Sequence, residues 1–148
     1  MNCLICNRIE QIKKKQNRYF VKELKTGYVV LGDSQYFKGY TLFLCKLHAI
    51  ELFDLEENFR KEFMEEMIIV AKAVKIAFHA EKMNYECLGN GDAHLHWHLF
   101  PRRIQDTPIP GPVWWVPYKE MNHVRYQLDD ATLKKEIKKL QKVLDELL

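Results

Sequence analysis

Three histidines alternate with apolar residues in the run His94-Leu95-His96-Trp97-His98-Leu99-Phe100. Leucine, tryptophan and phenylalanine are good strand formers, and successive side chains of a strand point to opposite faces. We therefore expect all three imidazoles on one face of a strand, about 6 to 7 Å from one to the next. A row of imidazoles on a rigid strand can bind a metal, bind a phosphate or attack an electrophile.

Two of these chemistries remain open from the residues alone. A neutral imidazole is a good nucleophile at pH 7 because its ordinary pKa is near ~6.5. Its attack on phosphorus would split one displacement into two easier ones. Alternatively, the three histidines hold one catalytic metal, since His-x-His on a strand is a common zinc arrangement. No further cluster of His, Asp or Glu follows the motif to complete a metallohydrolase site.

The flanking sequence predicts the elements that must hold this strand. Apolar residues recur at helical spacing from Asp54 to about Ala80, which predicts a long helix. Strands are predicted, together with the histidine strand, at Tyr19–Leu24, Tyr28–Leu31, Thr41–Cys45 and Met83–Leu88. Short turns between neighbouring strands favour an antiparallel sheet. One long helix on such a sheet gives a two-layer α+β domain.

The two ends of the chain are predicted to be less regular. The polar stretch from Asn7 to Asn17 suggests a short helix. Four prolines between Pro108 and Pro117 exclude regular structure for about ten residues. A final helix with a leucine stripe is expected after Asp129 and Asp130, acidic residues suited to a first helical turn. All of this fits a single domain over residues 1–148, with a proline-rich segment and a C-terminal helix at 104–148.

Composition excludes several classes of protein. The chain has 148 residues, 23 basic and 20 acidic, and its net charge of +3 is too balanced to indicate nucleic-acid binding. No apolar run approaches the ~20 residues that span a bilayer, and the N-terminus lacks the apolar region of a signal peptide. We therefore expect a cytoplasmic protein without a membrane or nucleic-acid partner. Its four cysteines then suggest metal binding or reduced thiols before disulfides.

The run Cys3-Leu4-Ile5-Cys6 has the spacing of one half of a tetrahedral zinc site. A CxxC motif can also be redox-active. Redox motifs usually lie between a strand and a helix, which favours the metal interpretation here.

The histidine run, with Pro101 and Arg102 after it, resembles the signature of the histidine triad (HIT) family, His-φ-His-φ-His-φ-φ with φ apolar. The resemblance extends over about residues 3–103. It implies a five-stranded antiparallel sheet with a helix packed on it, usually in a homodimer. It also implies hydrolysis at the α-phosphate of a dinucleoside polyphosphate or a nucleoside phosphoramidate, through a covalent nucleotidyl-histidine, with Mg²⁺ allowed to accompany a polyphosphate substrate.

The resemblance assigns a role to each histidine. His96 matches the nucleophile, His98 the residue that contacts the phosphate and protonates the leaving group, and His94 a supporting or metal-binding position. Nucleotidyl transferases of the superfamily carry glutamine at the third position, so His98 favours hydrolysis. In relatives with a CxxC motif, the zinc ligands correspond to Cys3, Cys6, His48 and His94. This closed site would be structural, with Cys45 as an alternative ligand.

The nucleotide pocket departs from the family pattern in several places. The ribose-binding acidic residue falls at Gly32 by count, and Asp33 beside it is the candidate. Asn90, before the triad, is the candidate amide for phosphate, and Arg102 offers a fork of donors to the same group. Tyr40 stands where relatives often have a histidine. These departures keep open a nucleotide- or partner-binding protein with vestigial turnover.

Overall fold

Five strands form the centre of the molecule. The computed structural model describes residues 2–148. Its strands are β1 Phe20–Glu23, β2 Gly27–Leu31, β3 Thr41–Cys45, β4 Lys82–Glu86 and β5 His96–Arg102. Every neighbouring pair is antiparallel, in the order β1-β2-β3-β5-β4. The predicted antiparallel sheet of five strands is confirmed, with each strand within about two residues of its predicted position.

Four α-helices accompany the sheet: α1 Leu4–Lys13, α2 Glu57–Ala77, α3 Tyr118–Met121 and α4 Asp130–Leu147. Short 3₁₀ turns occupy Leu52–Asp54, Val113–Trp115 and Val124–Tyr126. Within residues 2–148, no helix is both long enough and apolar enough to cross a bilayer.

The long helix α2 and the last helix α4 cover one face of the sheet. Phe63, Val70 and Val74 of α2 are completely buried in a cluster that includes Phe43 of β3 and Leu99 of β5. The leucine stripe of α4 joins this same cluster through its buried residues Leu133, Ile137, Leu140 and Leu144. The α+β prediction is confirmed, and the stripe packs within its own chain.

The first helix packs on the opposite face. Ile5, Ile9 and Ile12 of α1 are buried against Tyr28, Val30 and Leu44 of β2 and β3. The prediction of a helix from Asn7 to Asn17 was wrong in its bounds, because α1 begins at Leu4 and includes the second cysteine. Cys3 is its N-cap, and the Cys3 Sγ accepts a hydrogen bond from the backbone N–H of Cys6 at 3.3 Å.

The remaining helix boundaries follow capping residues. The long helix was predicted to start at Asp54, but Asp54 ends a 3₁₀ turn and the Glu56 carboxylate caps α2 instead. Asp130 lies in the first turn of α4, as predicted, and Asp129 is the N-cap, which accepts from the N–H of Thr132 at 2.7 Å. The proline-rich segment is less irregular than predicted, since Pro112 and Pro117 each precede a short helical turn.

Candidate functional site

Two of the three histidines lie in β5, on the sheet face that carries α1. Residue 96 pairs with Leu44 of β3 and residue 98 with Leu42. In β2, Tyr28 and Val30 continue these two rows. Each row therefore runs from a histidine across β3 to β2, where α1 covers the sheet.

His94 lies before the first residue of β5 and belongs to a different cluster. Its Nδ1 is 3.6 Å from Cys3 Sγ, 3.4 Å from Cys6 Sγ and 3.1 Å from His48 Nδ1. The Cys6 Sγ is 3.3 Å from His48 Nδ1. The expectation of three imidazoles in one row was therefore wrong for His94, which turns toward the start of α1.

The donor atoms of this cluster have the geometry of a tetrahedral metal site. One ligand atom from each of Cys3, Cys6, His48 and His94 lies within 4.8 Å of the other three. In a tetrahedral zinc site with ordinary bond lengths, S···N separations are about 3.6 Å and N···N separations about 3.3 Å. The separations between 3.1 and 3.6 Å fit this arrangement.

The backbone fixes which nitrogen of His94 faces the cluster. Its Nε2 lies 2.8 Å from the carbonyl oxygen of Cys45, which can only accept a hydrogen bond. Nε2 therefore carries the proton, and Nδ1 presents its lone pair to the sulfurs. Cys45 takes part through this carbonyl alone. Its thiol is fully buried and does not belong to the group of clustered ligand atoms, so the structure does not place Cys45 as the alternative ligand.

A cavity of about 250 Å³ lies on the same sheet face, beside His96 and His98. Its walls come from α1, from the middle of the sheet and from the loops that follow β2 and precede β5. The residues that line it are Leu4, Ile5, Arg8, Val30, Asp33, Ser34, Tyr40, Leu42, Leu44, Asp92, His96, His98 and Asn122. The lining therefore combines apolar side chains with imidazoles and charged groups, as an amphiphilic ligand requires.

His96 is held in one tautomer. Its Nδ1 lies 2.6 Å from the backbone carbonyl oxygen of His94. Because that oxygen can only accept, Nδ1 carries the proton and Nε2 keeps a free lone pair. The side chain is only 7% exposed, so the lone pair lies in a site largely shielded from water.

His98 lies beside it, with ring centroids 4.7 Å apart and ring planes inclined by 65°. Burial, and then the positive charge that His96 can carry, lower the pKa of His98 to about 4. The imidazole is therefore neutral at pH 7. Its Nδ1 is 2.6 Å from the Tyr40 hydroxyl, whose own pKa is raised by burial.

At the far wall of the cavity, Arg8 and Asp33 form a two-fold ion pair, with distances of 2.8 and 2.7 Å. Asp33 was a predicted site residue, and the structure places it in the cavity wall. Arg8 was not predicted. Arg8 lies one helical turn after Leu4 and Ile5, at spacings of four and three residues that bring it to their side of α1. A helix that was expected to begin at Asn7 could not indicate this arrangement.

Two other predicted phosphate ligands lie elsewhere. Asn90 is exposed and does not line the cavity, whereas Asp92 and Asn122 do. Arg102 is turned to Asp106, which accepts from Nε at 2.8 Å and Nη2 at 3.0 Å, while Nη1 donates to Asn84 and the Gly111 carbonyl. With its donors occupied by the protein, Arg102 supports the loop after β5.

Comparisons with known proteins agree with this architecture. The HIT domain family model matches residues 13–105. Over 108 residues the chain is 26% identical to the adenosine 5′-monophosphoramidase HNT1 of Saccharomyces cerevisiae, an alignment that covers 72% of this chain and 66% of that protein.

Solved structures share the fold. A histidine triad protein from Marinobacter aquaeolei VT8 superposes with a TM-score of 0.73 at 21% identity, covering 87% of this chain and 90% of its own. A zinc-bound histidine triad family protein from Mycobacterium smegmatis gives 0.67 at 18% identity, covering 99% and 96%. The histidine motif, the fold and the family match agree, and the chain belongs to the HIT domain family.

Proposed function

We propose that this protein is a nucleotide hydrolase that acts at the α-phosphate through a covalent nucleotidyl intermediate on His96. The observation that carries the proposal is the fixed tautomer of His96, whose Nδ1–H is held by the His94 carbonyl at 2.6 Å. An unprotonated Nε2 in a cavity beside a second imidazole is a preorganised nucleophile. The phosphoramidase activity of the yeast relative supports the substrate class.

The proposed reaction has two displacements. Nε2 of His96 forms a bond to the α-phosphorus, and the bond to the leaving group breaks with its electron pair. The His94 carbonyl stabilises the positive charge that then develops on the His96 ring. Water attacks the same phosphorus in the second step, the P–N bond returns its pair to Nε2, and the products are a nucleoside monophosphate and a proton released to solvent.

His98 is proposed to contact the phosphate oxygens or the leaving atom as a neutral donor. Because its pKa is about 4, it is not an imidazolium at pH 7 in the free protein. It therefore contributes a directed hydrogen bond and keeps its own proton, and a basic leaving group takes its proton from water, which balances the proton released by the attacking water in the second step. A leaving group that is a weak base departs as the anion and needs no proton.

The nucleoside is proposed to extend from β5 toward β2. Asp33 follows β2, two strands from the histidines, which is about 10 Å at ordinary strand spacing. This distance matches the span from an α-phosphate to the ribose and base. Asp33 would accept hydrogen bonds from the ribose hydroxyls, and Leu4, Ile5 and Leu42 would contact the base.

Arg8 is expected to position Asp33 for the ribose. Replacing Arg8 with alanine frees the carboxylate to turn toward water, so KM should rise about 5- to 10-fold while kcat changes little. Steady-state kinetics with an adenosine phosphoramidate measure both constants. Arg18→Ala is the matched control, because Arg18 pairs with Asp130 and does not line the cavity. A fall in kcat at unchanged KM would contradict this role.

Zinc is the proposed occupant of the Cys3, Cys6, His48 and His94 cluster. Two thiolates and two imidazoles suit zinc, whereas Mg²⁺ prefers oxygen donors and has no role in this cluster. Four protein ligands leave no open position, so the proposed role is structural.

The metallohydrolase alternative is disfavoured because His94 faces the cysteines, and the three histidines of the motif do not form a common group of possible metal ligands among residues 2–148. The homodimer that the resemblance implies stays a prediction, as does the cytoplasmic location.

The direct test is the mass of the intact protein shortly after mixing with an adenosine phosphoramidate. The quench must be alkaline, because a phosphohistidine-type bond is hydrolysed in acid. We expect one nucleotidyl group per chain, located on the peptide that contains His96. Binding without adduct or monophosphate would favour a nucleotide-binding protein. Turnover without adduct that depends on a metal bound by His96 would favour the metallohydrolase.

A further inference from the structure

The contact between Tyr40 and His98 has a consequence for the proposed reaction. We propose that Tyr40 is a positioning residue whose hydroxyl donates to Nδ1 of His98 and thereby holds the Nε2–H tautomer that faces the substrate. The inference rests on the proposed function for its effect on turnover. Its structural part concerns the resting protein alone.

The surroundings of the hydroxyl decide the direction of the hydrogen bond. The Tyr40 oxygen lies 2.6 Å from His98 Nδ1, its one hydrogen-bond partner among residues 2–148. If Nδ1 carried the proton, the tyrosine O–H would have no acceptor among residues 2–148, at a cost comparable to a lost hydrogen bond. If the hydroxyl donates, both groups are satisfied. The second arrangement is therefore favoured, and it leaves the proton of His98 on Nε2.

Ionisation states support the same assignment. Burial raises the pKa of Tyr40, so the hydroxyl keeps its proton and is able to donate it. Burial, and then the charge of His96, lower the pKa of His98 to about 4, so its ring carries one proton and not two at pH 7. A neutral imidazole has one N–H, and the hydrogen bond to Tyr40 determines which nitrogen bears it.

The tyrosine ring is itself fixed in place. It stacks on Phe100 at a centroid distance of 4.2 Å with an interplanar angle of 5°. On another side it fills the space that a side chain at residue 32 would need, since a Cβ added to Gly32 would overlap the Tyr40 ring. The backbone carbonyl of Tyr40 accepts hydrogen bonds from the N–H of Gly32 at 2.9 Å and from the side-chain amide of Gln35 at 3.0 Å. The glycine found at residue 32 and the tyrosine at residue 40 are thus parts of one packing arrangement.

The two imidazoles consequently present opposite hydrogen-bonding groups to the cavity, an acceptor on His96 and a donor on His98. His96 offers an Nε2 lone pair because the His94 carbonyl holds its Nδ1–H. His98 offers an Nε2–H because Tyr40 occupies its Nδ1. A nucleophile and a neutral donor therefore lie side by side, each set by a hydrogen bond on the far nitrogen of its ring.

The test begins with the ring ¹⁵N resonances of His98 in the resting protein. We expect one unprotonated nitrogen at Nδ1 and one protonated nitrogen at Nε2, with exchange between tautomers appearing in Tyr40→Phe. Tyr28→Phe is the matched control, because Tyr28 is another tyrosine on this sheet face, in β2. A wild-type spectrum with the proton on Nδ1 would overturn the inference without any variant having to fold.

Turnover gives the second readout. With an amine leaving group, kcat of Tyr40→Phe should fall about tenfold, whereas a nucleotide with a p-nitrophenolate leaving group should lose much less. An equal loss for both leaving groups would mean a general disturbance of the site and would overturn the positioning role. If wild-type protein turns over no nucleotide, the proposed function fails, but the tautomer assignment is still decided by the spectrum.

Discussion

Replacing His96 with glycine is expected to lower kcat at least about 10³-fold, because the proposed reaction then has no nucleophile. The nucleotidyl adduct should disappear in parallel. Release of nucleoside monophosphate measures the first effect, and the mass of the intact protein measures the second. Metal content should be unchanged, since His96 lies outside the Cys3, Cys6, His48 and His94 cluster.

Two controls separate lost chemistry from lost structure. His79→Gly makes the same change at a residue with φ of +53°, where glycine fits without strain, and should keep wild-type turnover. Added imidazole should restore part of the activity of His96→Gly by occupying the space of the missing ring. Turnover near the wild-type rate in His96→Gly would exclude this residue as the nucleophile.

The periodic elements could be predicted because apolar spacing alone determines them. The two-residue period around His96 and His98 predicted their common face, and the helical spacing of Phe63, Val70 and Val74 predicted α2. The start of α1 could not be predicted in this way. Its N-cap is a cysteine, which is not among the usual capping residues, so the motif at Cys3 and Cys6 was considered only for its chemistry.

The site residues that were misplaced depend on contacts that local sequence does not reveal. Arg102 looked available for phosphate, but the chain turns back after β5 and brings Asp106 onto its guanidinium. Burial opposes ionisation of Asp106, yet hydrogen bonds from Arg102 and Arg103 outweigh it and lower the pKa of the carboxyl group. Asp106, Asn84 and the Gly111 carbonyl together accept four hydrogen bonds from the guanidinium of Arg102, which is buried and does not line the cavity.

The contact made by Tyr40 could not be predicted from the sequence for a different reason. The sequence showed that a tyrosine stood where relatives often have a histidine, but not which group it would contact. That contact depends on how the chain enters β3 beside β5, where residue 41 pairs with residue 99. Only the assembled sheet brings the hydroxyl to His98 Nδ1.

Loss of the proposed zinc site at Cys3, Cys6, His48 and His94 is expected to have the largest effect on stability. In Cys6→Ser, we expect zinc content to fall from one per chain to none. The free energy of unfolding should fall by at least about 3 kcal/mol, on the order of 10 °C in Tm. The reason is that the cluster ties α1 to His48 and to His94, whereas α1 otherwise rests on the sheet through Ile5, Ile9 and Ile12. Metal analysis and thermal unfolding, with and without a chelator, measure both quantities.

The same variant should also weaken nucleotide binding, because α1 supplies Leu4, Ile5 and Arg8 to the cavity wall. Cys87→Ser is the matched control, since Cys87 is a half-buried cysteine outside the cluster and should keep both metal and Tm. If Cys6→Ser retains zinc, or loses it with no change in Tm, the cluster does not have the structural role proposed for it. His96→Gly and Cys6→Ser are thus expected to differ in what they lose. His96→Gly should lose turnover and keep the metal, whereas Cys6→Ser should lose the metal and bind nucleotide more weakly, because the α1 wall of the cavity is then less firmly held.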